Sequence, residues 1–341
     1  MQAPDSDTVV GRSSFRTYPT VGWEPQTVRA SFRCIVSELY QLSTESTIMR
    51  IVIAGGSGFL GTILAQRLIS DGHTVTIIAR KVVTIQGAKQ VRWTDDLKTV
   101  IDGADAVINL AGANVGARRW TPKYRRELVS SRMDTTKKLV DVILASATPP
   151  AFISMSGTGY YGNSMTPSNE GLGAGATFLA ELCDAWEREA RRAESVTRVV
   201  RLRLAPVLDP GEGMLAKLLL PMRLFVGGVL GSGRQWVPWI HRDDAVGVIV
   251  WATMQATAAG PYNVSAPEQV TMRDMVGTLG RVIGRPTLFG VPGGLLRLVL
   301  GSLADMVLHS QRIAPWRLEG EGYTFRFPTL DGALRDLLRR P

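Results

Sequence analysis

Cysteine is nearly missing from this chain. It occurs twice in 341 residues, as Cys34 and Cys183, in very different contexts. A disulfide framework is therefore excluded, and a reducing, cytoplasmic setting is expected. Histidine is almost as scarce. His73, His241 and His309 stand far apart with no paired ligand spacing, so a metal site has no support. Long apolar runs are also lacking. Leu215 to Leu230 and Leu295 to Leu308 come nearest, but Lys217, Arg223, Arg297 and Asp305 interrupt them, and neither could span a bilayer. Nor is there a basic block interleaved with aromatics, the usual footprint of a nucleic-acid binder. The net charge of +9 is scattered along the chain. It reads as a solvated basic surface, and its sign also suits an anionic small ligand.

What is present begins unevenly. Residues 1–48 are rich in Ser, Thr, Pro and Arg, with no sustained periodicity. They fit neither a signal peptide, which needs an apolar core, nor a mitochondrial presequence, which is poor in acids. A disordered extension is expected there, with the functional protein starting near Met49. Beyond it, 45% apolar content is enough for a sizeable core.

The richest stretch is Arg50-Ile-Val-Ile-Ala-Gly-Gly-Ser-Gly-Phe-Leu-Gly61. Ile51 to Ala54 reads as a parallel strand buried on both faces. Apolar residues at three- and four-residue steps from Phe59 to Ile69 then predict a helix that stops at Asp71-Gly72. Gly55 permits the tight turn, Gly58 lets backbone approach a pyrophosphate, and Gly61 lets helix pack on strand. Ser57, Gly58, Phe59 and Leu60 would cradle the phosphates at the helix start. A second strand, Thr74 to Ala79, follows within about 30 residues, as a mononucleotide-binding unit requires. It ends in Arg80 where NAD-binding versions carry a carboxylate for the ribose. Arg80 offers a fork for a 2′-phosphate, so NADP(H) is expected over NAD(H).

Further short strands are expected at Val91–Trp93, Asp105–Gly112, Ala151–Met155, Arg198–Leu204 and Pro261–Val264. Helices are expected at Tyr124–Ala147, Phe178–Glu194 and Ala245–Met254, the last capped by Asp243 or Asp244 beside a structural His241. The alternation predicts an α/β fold, a Rossmann-type doubly wound parallel sheet whose ligands bind at the carboxyl ends of the strands. Leu110, Ala111 and Gly112 would lie against the cofactor, Ala111 and Gly112 flanking its adenosine side. Arg201 and Arg203 alternate with apolar residues and are expected on the less buried side of their strand. The segment Ser154 to Gly162 falls at a strand end. Ser156, Tyr160 and Tyr161 could there hold a carbonyl and pass a proton, although the same residues also suit an ordinary loop. Arg234, Trp236 and Trp239 could form a substrate-side anion fork with aromatic walls, Arg234 reading equally well as a surface ion-pair partner. From Thr271, which should cap Met272–Ile283, helices dominate.

The glycine turn, Asn109-Leu-Ala-Gly112, Ser156-Gly-Thr-Gly-Tyr-Tyr-Gly162 and Trp239-Ile-His-Arg-Asp-Asp244 together resemble extended short-chain dehydrogenase/reductases of the NAD-dependent epimerase/dehydratase type. Arg119-Trp-Thr, Gly227 to Trp236 and Gln311-Arg-Ile-Ala-Pro315 narrow the resemblance to epimerase-like proteins with an extra C-terminal helical domain. It covers about residues 49–338, and it implies a Rossmann domain over 49–270 and a smaller, mainly helical substrate-side domain over 271–341. The family's catalytic Tyr and Lys, four residues apart, are expected where this chain has Thr177 and Glu181. Glu181 could accept ribose hydrogen bonds, but it cannot activate a phenol as a lysine would. The resemblance implies an NADP(H)-dependent oxidoreductase or epimerase acting on a small carbonyl or hydroxyl compound, or else a non-catalytic NADPH-binding regulator. A homodimer packed through the apolar C-terminal helix is the partner expected besides the small-molecule substrate.

Overall fold

Burial on both faces of the first strand sets the layers. In a computed structural model, residues 48–81, 84–225, 227–287 and 289–339 are described; the expectation for the leader lies, apart from Ile48, outside them. Strand β1 (Arg50–Ala54) is buried from Ile51 onward. It lies inside a parallel sheet with β2 (Thr74–Ala79), β3 (Lys89–Arg92), β4 (Ala106–Asn109), β5 (Ala151–Gly157), β7 (Val199–Leu204) and β12 (Gly260–Val264). Among the described residues this sheet has seven strands in the order β12-β7-β5-β4-β1-β2-β3. The chain moves outward from β1 through β2 to β3, then crosses back to β4 on the other side of β1. That reversal opens a crevice at the carboxyl ends of β1 and β4.

Helices α1 (Phe59–Ser70), α2 (Leu97–Ile101), α3 (Pro122–Leu144), α4 (Phe178–Arg191), α5 (Gly213–Arg223) and α6 (Arg242–Met254) connect these strands. Ile51 and Ile53 pack with Leu64 and Leu68 of α1 and Val248 and Ile249 of α6. Val52 and Ala54 face the other way, onto Leu139, Val140 and Ile143 of α3 and Ala190 of α4. The period of two along the strand thus gives each helix layer its own core. Helix α3 begins earlier than expected, because Thr121 accepts the Tyr124 N–H and Pro122 fills a first-turn position that needs no donor.

Among the described residues eight short strands pair outside the main sheet: β6 (Ser164–Ser168) with β15 (Gln311–Ile313), β8 (Val207–Leu208) with β11 (Ile240–His241), β9 (Gly228–Leu230) with β14 (Phe289–Val291), and β10 (Trp236–Val237) with β13 (Val270–Thr271). The C-terminal helices are α7 (Met272–Ile283), α8 (Gly293–Leu300), α9 (Asp305–Leu308), α10 (Trp316–Gly320) and α11 (Leu330–Arg339). Thr271 caps α7 in a full capping box with Asp274. The apolar stretch 295–308 is broken at Gly301, whose φ of 60° no helix admits. A second core joins Leu215 and Leu219 of α5 and Trp239 to Met275 and Leu279 of α7 and Leu334 and Leu337 of α11, so it draws on both sides of residue 270. Tyr323 to Phe327 alternates without pairing as a strand; the Asp244 carboxylate takes up the N–H groups of Arg326 and Phe327, each at 2.8 Å. Among the described residues, no helix is long and apolar enough to cross a membrane.

Candidate cofactor cleft and active site

At the β1–α1 turn, backbone approaches backbone too closely for side chains. Gly55 has φ 80°, and a Cβ there would lie 2.9 Å from the Ala111 nitrogen; a Cβ on Gly61 would lie 2.5 Å from the Gly55 oxygen. The Gly58 N–H closes the turn onto the Gly55 carbonyl at 3.0 Å. Gly58 is then the cap of α1, and among the described residues no side chain bonds to the helix start. The first-turn N–H groups of Phe59, Leu60 and Gly61, next to Ser57, are left for an external acceptor, with the helix dipole behind them. Arg80 follows β2 directly and is exposed. These features fit a phosphorylated dinucleotide: a close-approach turn for the pyrophosphate and a cation at the end of β2 for a 2′-phosphate.

The β4 side of the crevice is held by a residue to which sequence reasoning assigned no role. Buried Asn109 accepts the Ala111 N–H at 3.1 Å and donates to Thr136 Oγ1 at 2.8 Å. The Trp186 indole donates to the same hydroxyl at 2.8 Å. Leu110 and Ala111 are thereby fixed against the glycine turn.

At the end of β5 the hydroxyls are engaged. Ser156 Oγ donates to Glu187 Oε1 at 2.8 Å. Arg203 grips the same carboxylate with Nε at 2.8 Å and NH2 at 3.0 Å, and the side chains of both residues are only 3% exposed. Arg203, expected on the less buried side, is therefore among the most enclosed cations of the fold, and Arg201 stands 3.8 Å from the same Glu187. The partner carboxylate lies on α4, far enough back in sequence that alternation along β7 could not reveal it. Arg203 also stacks over the Tyr160 ring at 3.6 Å and donates to the Tyr161 hydroxyl at 2.8 Å. Tyr161 in turn donates to Asn263 Oδ1 at 2.7 Å. Burial pushes its phenol up to about 12, against the pull of Arg203, so it holds its proton at neutral pH. Thr158 donates to Gln311 Oε1 at 3.1 Å, tying this loop to β15.

Helix α4 corrects the expected register. Thr177 is its cap, accepting the Ala180 N–H, and Glu181 is exposed in its first turn. The pair facing the end of β5 is Leu179, whose Cβ lies 3.1 Å from where Gly159 would carry one, and Cys183, whose Sγ lies 3.7 Å from that point on Gly157. Glu181 lies on another side of the helix from this pair. Burial raises the Cys183 thiol to about 11, with Arg132 opposing.

Arg132 was missed by sequence reasoning, although it stands in the four-residue row Leu128, Arg132, Thr136, Val140 on the inner side of α3. Its guanidinium donates to the Leu128 and Ala113 carbonyls, both at 3.1 Å. It lies 5.1 Å above the Trp186 ring and 3.1 Å from where Gly112 would carry a Cβ. Among the described residues no carboxylate pairs with it, and burial lowers its pKa.

On the substrate side Arg234 is exposed, while Trp236 is half-buried with Arg312 stacked 4.7 Å from its ring. Trp239, expected as a cleft wall, is 1% exposed with its indole bound to the Glu268 carbonyl, and so belongs to the second core. His241 is structural, as expected, but it is itself the cap of α6, accepting the Asp243 N–H at 3.0 Å. Asp243 and Asp244 instead occupy the first turn. Asp336 brings a third donor atom to within 4.8 Å of those of His241 and Asp243, a grouping that sequence spacing hid.

Comparison with known proteins agrees with this architecture. Residues 51–265 match the NAD dependent epimerase/dehydratase family, and residues 291–337 match a domain of unknown function, DUF1731. The mouse epimerase family protein SDR39U1 is 36% identical over 296 residues, 85% of this chain and 100% of that protein. Its chloroplastic homolog from Arabidopsis thaliana is 35% identical over 309 residues, 87% of this chain and 89% of that protein. The crystal structure of human SDR39U1 with NADPH superposes with a TM-score of 0.80 at 35% identity, covering 86% of this chain and 100% of that one. A nucleoside-diphosphate sugar epimerase from Corynebacterium glutamicum gives 0.70 at 29% identity, covering 91% and 63%. This chain belongs to the NAD dependent epimerase/dehydratase family and carries the DUF1731 domain near its C-terminal end.

Proposed function

We propose that the protein is an NADPH-binding oxidoreductase of epimerase-like build that acts on a small carbonyl or hydroxyl compound. The observation that carries this is the uncapped start of α1 behind Gly55 and Gly58, one strand away from the exposed Arg80. The likeness to a human relative crystallised with NADPH supports it. When bound, NADPH supplies a hydride; Arg80 selects it by its 2′-phosphate; Arg234 and Trp236 meet the substrate. Of the hydroxyls at the end of β5, Ser156 and Tyr161 serve the Glu187–Arg203 pair, so Tyr160 is the phenol proposed to move a proton. A cytoplasmic setting fits the scarcity of cysteine. A homodimer fits the apolar side chains left exposed on α8, namely Leu295, Leu298 and Val299.

One observation favours a second reading, an NADPH-responsive regulator without turnover. Helix α4 turns Leu179 and Cys183 toward the β5 end, and neither can activate a phenol. Calorimetric titration with NADPH and NADH, followed by a screen of carbonyl compounds for NADPH consumption, separates the two. NADPH binding at least about tenfold tighter than NADH, lost in Arg80→Ala, supports the cofactor assignment. Turnover abolished in Tyr160→Phe supports the oxidoreductase, whereas binding without turnover on any compound supports the regulator. Failure to bind either nucleotide refutes both.

A further inference from the structure

Arg132 carries a charge that no carboxylate among the described residues neutralises. Its hydrogen bonds go to two backbone carbonyls. The buried carboxylate of neighbouring α4, Glu187, is committed to Arg203 and Arg201, and Glu181 faces away and is exposed. A guanidinium keeps its proton even when half-buried, so the charge is permanent.

The place of this charge follows from strand order. The close-approach turn is at β1 and Arg80 is at β2, on the β3 side of the sheet. A dinucleotide with its pyrophosphate on the first and its 2′-phosphate at the second must run its nicotinamide half toward β4 and β5. Arg132 stands there: its guanidinium lies against Gly112 after β4 and 5.1 Å over the ring of Trp186, which follows by three residues on α4 the Cys183 that packs on Gly157 at the end of β5.

We infer that Arg132 makes the cleft selective for the reduced cofactor. The nicotinamide ring of NADP+ bears a positive charge and that of NADPH bears none, so an uncompensated cation beside that half penalises only the oxidised form. One unit charge acting on another across a partly wet cleft corresponds to about a tenfold difference in affinity. A ribose-holding lysine would be a mobile ammonium; a guanidinium pinned to two carbonyls holds its charge in one place. The inference rests on the NADPH reading above and deepens it, because discrimination by redox state serves a reductase and a sensor alike.

The test is calorimetric binding of three probes, NADPH, NADP+ and adenosine 2′,5′-bisphosphate, to the full chain and to Arg132→Gln and Arg132→Lys. The wild-type protein is expected to bind NADPH about tenfold more tightly than NADP+. Arg132→Gln should bring that ratio close to one while leaving the bisphosphate, which lacks the nicotinamide half, within about twofold. Arg132→Lys, which keeps the charge, should keep most of the preference. Equal wild-type affinities for the two redox forms overturn the inference with no variant needed, as does an unchanged ratio in Arg132→Gln. A wild-type protein that binds the bisphosphate but prefers neither redox form refutes Arg132 alone; one that binds none of the probes refutes the cofactor reading itself.

Discussion

Replacing Glu187 with Gln tests the buried ion pair beneath the β5 loop. The carboxylate accepts two nearly parallel bonds from Arg203, at 2.8 and 3.0 Å, and a third from Ser156 at 2.8 Å. Glutamine keeps the shape but removes the charge, and its amide nitrogen turns a donor toward a group that is itself all donors. Arg203, 3% exposed, is left as an uncompensated buried cation. Breaking one partner of such a pair costs about 3–5 kcal/mol. Urea unfolding, followed by both tryptophan fluorescence and far-ultraviolet circular dichroism, should therefore show a stability loss of about that size with coincident transitions. Arg203→Met in the same chain removes the orphaned charge, so the double variant should lose at least about 2 kcal/mol less than the sum of the single losses. A loss below about 1 kcal/mol in Glu187→Gln, or strict additivity in the double variant, would refute the claim that this pair is desolvated and coupled.

Gly61→Ala puts a methyl 2.5 Å from the Gly55 oxygen and 2.6 Å from the Gly56 Cα; backbone must move, so a stability loss of about 1–3 kcal/mol and loss of NADPH binding are expected by denaturation and calorimetry. Thr271→Ala removes the capping box at α7 and should lower stability by about 1 kcal/mol without altering nucleotide affinity. Tyr161 and Cys183 are raised by burial, from 10.0 to about 12 and from 9.0 to about 11. The fold holds both neutral, so their contribution is complete below the ordinary values and is lost as pH rises through the shifted ones. Urea midpoints should therefore fall between about pH 9 and pH 12. At pH 8 the Cys183 thiol should react with a disulfide reagent only as fast as the protein opens; immediate reaction would show the thiol to be accessible.

Local chemistry determined how much the sequence disclosed. The β1–α1 turn was legible because each glycine answers a demand made within a dozen residues, and because the strand before it and the helix after it have different periods. Thr271 was legible for the same reason, its partner Asp274 lying three positions on. Boundaries moved where a cap outweighed the apolar stripe, as at Thr121, or where one glycine broke an apolar run, as at Gly301. Arg203 was misplaced because alternation reports which face a residue takes, not what waits there; a carboxylate 16 positions earlier makes that face a buried one. Trp239 looked like a cleft wall from its neighbours in sequence, while in space it belongs to the core that also holds Met272, Met275 and Leu330 from further along the chain.

The end of β5 was the least legible part of the candidate site, and its geometry explains the difficulty. Counting along α4 put Thr177 and Glu181 in the places of the family's Tyr and Lys, but counting cannot determine which side of a helix meets the sheet. Thr177 is spent on the cap. The side that meets the strand end then follows from the turn of the helix, bringing round Leu179 and Cys183 and, one turn further, Trp186 and Glu187. Two of these four close the cleft with apolar or inert groups, and the other two bind α3 and β7 through Thr136 and Arg203. Helix α4 thus braces the neighbours of the cleft. The cation left uncommitted there comes from α3 instead, which is why Arg132, rather than any residue of α4, is where substitution should separate nucleotide recognition from the stability of the fold.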